Sequence, residues 1–153
     1  MPLPAWKDDA FCRGCFGGVV AGIIKNLCDY GLLILKVKTA VFWKIAGVIA
    51  FSKPPVGIVE NTVSLFLELV FCAFIGIIYI VIHSRFKTKC NLVMGMLYGA
   101  LVWFFIKASF LLFHLTELKK DLLIVANPIS HLVLSILFGL ILAALDTKWS
   151  KEA

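Results

Sequence analysis

Four stretches of this chain are apolar for about 18 residues or more, and no other feature narrows its fold as far. Inside hydrocarbon a backbone has no water to bond to, so each stretch must close its own hydrogen bonds, as a helix does. Soluble domains are roughly half apolar. Here 61% of 153 residues are hydrophobic and the mean hydropathy is +1.00, with the excess gathered in blocks. The expected fold is all-α: a single polytopic unit of four transmembrane helices plus a short interfacial or re-entrant helix, with no soluble catalytic domain.

The spans are expected at about 11–35, 60–83, 91–114 and 128–145. Between the first two lies an apolar run at 40–51, closed by Ser52-Lys53-Pro54-Pro55. As a helix it would reach only about 18 Å, too short for a hydrocarbon core of about 30 Å. Trp43 and Lys44 suit a segment that lies in the interface or dips partway in. Glu60 and Asn61 open the second span, and Pro128 suits the start of the fourth. The polar connection from Thr116 to Asp121 separates spans three and four, and the tail from Asp146 onward reads as polar. Asp8, Asp9, Lys25 and Asp29 are out of place in a cleaved signal, so the first span is expected to remain.

The net charge of +6 does not point to nucleic acid, because the basic residues are spread over helix ends. There they serve topology and anionic lipid headgroups. Lys and Arg are nearly balanced between the two sides; the dense loop Arg85–Lys89 favours cytoplasmic termini.

Gly14, Gly18 and Gly22 recur along one face of the first span, and Gly95 and Gly99 along one face of the third. Small residues at such spacing let helix backbones meet closely in lipid. Spans one and three run in the same direction with their glycines at matching depth, so the expectation is a contact between those two helices.

Ionisable residues inside spans are costly and are paired, line a cavity, or carry function. Lys25, Asp29, Glu68, Lys107 and His131 qualify. Counting equally outward from the turn between His83 and Asn91 puts Glu68 level with Lys107. Lys25 and Asp29 are one turn apart on one helix face. All five fall in one half of the membrane, and the expected pairs are Lys25–Asp29 and Glu68–Lys107. Three readings compete for this layer: a structural lock, a pathway for an ion, proton or solute, and an intramembrane acid or base.

Cys12 and Cys15 have C-x-x-C spacing, a weak candidate for redox or metal chemistry, and Cys90 begins span three on the same side. Such cysteines also serve as acylation sites or small packing residues. His83 and His114 end spans, where an imidazole needs no special role. There is no phosphate loop, dinucleotide fingerprint or zinc-protease motif. No cofactor, metal or catalytic residue is expected.

The order of features has a further implication. A first span reading Gly18-Val19-Val20-Ala21-Gly22-Ile23-Ile24-Lys25-Asn26 is followed by a short element ending in Lys53-Pro54-Pro55, then Glu60. The third span reads Gly95-Met96-Leu97-Tyr98-Gly99-Ala100-Leu101-Val102-Trp103, and the fourth contains His131 and Gly139. This resembles small four-helix membrane proteins of unknown function from Gram-positive, often anaerobic, bacteria. The resemblance implies no activity, but it marks Lys25, Asn26, Glu60 and His131 as shared polar positions. The functional expectation is a structural or accessory component of a membrane assembly, partnered by lipid and by another membrane protein or further copies of itself. The alternative is a small ion, proton or solute transporter acting as an oligomer through the charged layer.

Overall fold

The computed structural model describes residues 9–36, 41–86, 90–112 and 128–152. Among these residues there are five helices and no strand: α1 (Ala10–Ile34), α2 (Trp43–Phe51), α3 (Gly57–Phe86), α4 (Asn91–Leu112) and α5 (Pro128–Glu152). All but α2 are long and apolar enough to cross a membrane. The protein is an all-α, multi-pass membrane protein. The expected end of span three at His114, the connection from Thr116 to Asp121, and residues 87–89 of the basic loop lie outside the described residues.

Helix boundaries follow local chemistry. Asp9 caps α1 by accepting the Phe11 N–H at 2.8 Å. Ser52, at φ 56°, ends α2 in the left-handed region, and Pro54-Pro55 blocks continuation. Glu60 turns back to accept the Val56 N–H at 2.6 Å and pairs with Lys53 at 3.0 Å, securing the first turn of α3. At the other terminus, α5 runs on to Glu152 rather than yielding to a polar tail after Leu145. Apolarity marks where a span can end, but polar residues continue a helix when the bundle supplies them with partners, as it does for Asp146.

The bundle is built from two antiparallel helix pairs with the same glycine logic. Gly14 and Gly18 of α1 lie against Gly76 of α3, and Gly95 and Gly99 of α4 lie against Gly139 of α5. A methyl group on Gly14 would come 2.6 Å from the Ile77 Cα, so the α1–α3 approach depends on its absence. These contacts overturn the expected meeting of spans one and three. The glycines are packing residues, but each stripe faces an antiparallel neighbour carrying one glycine at the same depth, and matched depth alone could not choose between partners. The pairs join where α1 meets α5.

Counting from the single glycines shows how alike the pairs are. Four and eight residues before Gly76 stand Cys72 and Glu68; before Gly139 the same steps give Ser135 and His131. Seven residues after them stand His83 and Asp146. The likeness breaks at one seam. α3 and α4 are consecutive, yet large side chains rather than close backbone hold them together: the Tyr98 hydroxyl donates to the Ile75 carbonyl at 2.6 Å, and Tyr79 meets Tyr98 edge to face.

Short α2, about 14 Å long, lies against α3 with Gly47 pressed on Ser64 and Pro55. Its N-terminal end is deep, for the Phe42 N–H donates to Asp29 at 2.5 Å. Asp29 stands five residues before the end of α1, about 8 Å along its axis. Of the interfacial and re-entrant alternatives, this geometry fits a segment that re-enters the helix layer.

Candidate functional site

The α1–α3 register brings Gly14 to Ile77, Gly18 to Ala73 and Gly22 to Leu69. Continued toward the far end of α1, it delivers Lys25 and Asn26 to Glu68. Lys25 Nζ pairs with Glu68 Oε1, and Asn26 Nδ2 donates to Oε2 at 2.5 Å, so both carboxylate oxygens are held by adjacent residues of one helix. Lys25 is 4% and Glu68 2% exposed. Desolvating a lone charge here would cost several kcal/mol, and the pair is neutral as a unit. Asn26, 7% exposed, has no hydrogen-bond partner for its Oδ1 among the described residues.

Phe42 joins this pair to the rest of the layer. Its ring centroid lies 3.9 Å from Lys25 Nζ and 5.0 Å from the ring of His131, which is fully buried. A cation over an aromatic face is favourable, the more so when desolvated. Asp29, also fully buried, accepts the Phe42 N–H. Lys25, Asp29, Glu68 and His131 therefore do converge, but their pairing differs from expectation. Glu68 takes Lys25, not Lys107, and Asp29 is engaged by the backbone of Phe42. Lys107 is partly buried on α4 and forms no ion pair or hydrogen bond with Glu68. Equal depth in a sequential hairpin suggested the Lys107 pairing; it fails because α3 turns its Glu68 face to α1.

Beside this layer the open α3–α4 seam leaves space. An apolar cleft of about 380 Å³ is walled by α2, α3 and α4, with Ala46, Ala50, Leu67, Phe71 and Ile106 among its lining and Glu68 its one ionisable residue among the described residues. Adjoining it is a chamber of about 30 Å³, which Lys25, Glu68, Cys72 and Ser135 line. The two share Phe42, Glu68, Phe71 and Ile106.

A second polar cluster lies at the opposite end of the bundle, fifteen residues along α3 from Glu68, about 22 Å. His83 Nδ1 is 2.6 Å from Asp146 Oδ2, and its Nε2 is 3.0 Å from Asn91 Oδ1. Thr147 gives its hydroxyl proton to the Ala143 carbonyl and so accepts from Asn91 Nδ2 at 3.2 Å, which turns Asn91 Oδ1 toward the imidazole. Both ring nitrogens thus face acceptors. Ser150 carries the network from Asp146 to Arg13 of α1. The imidazole stacks on Tyr79, whose buried hydroxyl has no partner among the described residues. Sequence reasoning left His83 without a role and placed Asp146 in a tail. Two signals were available: Ser64, Glu68, Cys72, Tyr79 and His83 form a polar stripe along α3, and His83 and Asp146 are equally placed after their glycines.

The cysteines are dispersed. Cys12 donates to its own cap residue Asp9 at 3.6 Å, Cys15 is partly buried, Cys28 and Cys90 are exposed and Cys72 is buried. Among the described residues no group of three or more His, Cys, Asp or Glu is placed to hold a metal. Comparison with known proteins adds no identity: no family model matches the chain, and no curated protein or solved structure does so either.

Proposed function

We propose that this chain is a structural or accessory component of a membrane assembly, and that its buried charges act as locks between helices rather than as a catalytic or conducting centre. One observation carries the reading. The carboxylate of Glu68 has both oxygens engaged by α1, and its ammonium partner is as deeply buried as itself. A pair so closed contributes specificity of register, because any helix shift strands a charge in hydrocarbon. The second cluster repeats the device at the other end, tying α1, α3, α4 and α5 through Arg13, His83, Asn91 and Asp146. The resemblance to small four-helix proteins of Gram-positive bacteria supports a bacterial cytoplasmic membrane as the setting. The basic loop after α3 supports cytoplasmic termini. Partners on this reading are lipid, anionic headgroups at the basic ends, and a neighbouring membrane protein or copy.

The transport reading needs water at the charged layer. Single cysteines at Asp29, Glu68, Lys107 and His131, in a background lacking the native five, would be treated with a membrane-impermeant thiol reagent. Protection of Asp29, Glu68 and His131 in the folded protein is the expected result. Labelling at two or more of these depths would overturn the lock and favour a solvated pathway.

A further inference from the structure

We infer that His83 is a proton-operated clasp: as a doubly protonated imidazolium it ties the end of α3 to α4 and α5, and giving up one proton loosens that end of the bundle. The inference rests on the lock reading of the second cluster and assigns its regulation.

The geometry around the ring calls for two N–H groups. Nδ1 stands 2.6 Å from Asp146 Oδ2, and Nε2 stands 3.0 Å from Asn91 Oδ1. A neutral imidazole carries one proton and can answer only one of these acceptors. With that proton kept at Nδ1, the bare Nε2 faces the Asn91 amide oxygen, lone pair against lone pair. Turning the Asn91 amide over does not mend this by itself. It brings Oδ1 against Thr147 Oγ1, whose proton goes to the Ala143 carbonyl at 2.8 Å. The neutral ring therefore requires Asn91 to turn and Thr147 to withdraw from Ala143, a change that runs from α4 into α5. The imidazolium requires neither.

The neighbouring charges bear on the ring from all four helices packed around it. From α5, the Asp146 carboxylate touches it directly, with a side chain only 3% exposed. On α3 the ring lies in the last turn, where the negative end of the helix favours a cation, and it stacks on Tyr79 with centroids 5.7 Å apart. From α4 come Asn91 and the positive end of that helix, which works the other way, while Tyr98 meets the far side of Tyr79. From α1, Arg13 reaches Asp146 through Ser150. Arg85 and Lys148 are exposed, so water and salt screen their repulsion. The direct carboxylate contact outweighs these more distant terms. The imidazole side chain keeps 16% exposure, enough for its proton to exchange with water.

Imidazole is the side chain that ordinarily changes charge between about pH 5 and 8. The clasp needs the proton, so it is complete in acid and lost as pH rises.

The test uses the full chain in detergent micelles at about pH 5.5 and about pH 8.5, on either side of the ordinary imidazole range. Melting is followed by circular dichroism, and amide hydrogen exchange, corrected for its intrinsic pH dependence, is read by mass spectrometry. The protein should melt several degrees higher in acid, and the peptide around Asp146 should be the better protected there. ¹⁵N-histidine spectra in acid should show both His83 ring nitrogens protonated, with the signal assigned by its loss in His83→Gln. His83→Gln should remove the acid advantage in melting, while His114→Gln should leave it. Thr147→Val keeps His83 and Asp146 but frees Asn91 to turn; it should at least halve the acid advantage, and it serves if His83→Gln does not fold. A bare His83 ring nitrogen in acid would overturn the clasp, as would an undiminished acid advantage in folded His83→Gln or Thr147→Val. Cysteine accessibility at the Glu68 layer tests the lock reading separately, since it is read at the other end of the bundle and at one pH.

Discussion

Removing the charge of Glu68 gives the sharpest test of the lock. In Glu68→Gln the amide oxygen can still accept from Lys25, and the Asn26 amide can turn so that its unpartnered Oδ1 receives the new NH₂. The hydrogen bonds survive, and what is lost is the compensation of a buried ammonium. Breaking a buried pair in this way costs about 3–5 kcal/mol. The retained bonds put Glu68→Gln near the lower figure, about 3 kcal/mol. Lys25→Met removes the cation and leaves the carboxylate with Asn26 alone, so it belongs near the upper figure. In the double variant neither charge remains, and a coupling of about 2–3 kcal/mol should reappear as recovered stability. The assay is reversible unfolding in mixed micelles, titrated with a denaturing detergent and read by circular dichroism. Lys107→Met in place of Lys25→Met provides the contrast: its effect should add to that of Glu68→Gln within about 0.5 kcal/mol, as for separated sites. Additive losses for Lys25 and Glu68, or strong coupling of Glu68 to Lys107, would refute the pairing.

Further expectations concern packing and the second cluster. Gly18→Ala would drive a methyl into the Cys72 backbone and should cost more than 2 kcal/mol in the same unfolding assay, whereas Gly31→Ala meets nothing within 4 Å and should be neutral or stabilising by up to about 1 kcal/mol. Asp146→Asn leaves His83 without its carboxylate and should lower stability by about 2–3 kcal/mol; an effect below 0.5 kcal/mol would remove that pair from the account of the fold. A lipid-soluble maleimide should modify Cys28 and Cys90 in the folded protein and spare Cys72 until denaturation, as mass spectrometry of labelled peptides would show.

Much of the architecture was readable before any coordinates, because membrane insertion is decided by properties local to the chain. Apolar length located four spans, proline and Ser52 bounded α2, and glycine spacing located the close-packed faces, each through one-dimensional chemistry. The list of buried ionisable residues was also local, since a charge inside an apolar run is visible as such. Partnership was not. Which helix receives the glycines of α1, whether Glu68 answers to Lys25 or Lys107, and whether Asp146 ends a span or anchors one all depend on rotation about helix axes and on non-sequential neighbours. Depth along the membrane is encoded by residue count, but azimuth is set by the packing of the whole bundle. The cleft belongs wholly to that second class: its walls come from α2, α3 and α4 together, and no single segment of the sequence carries it.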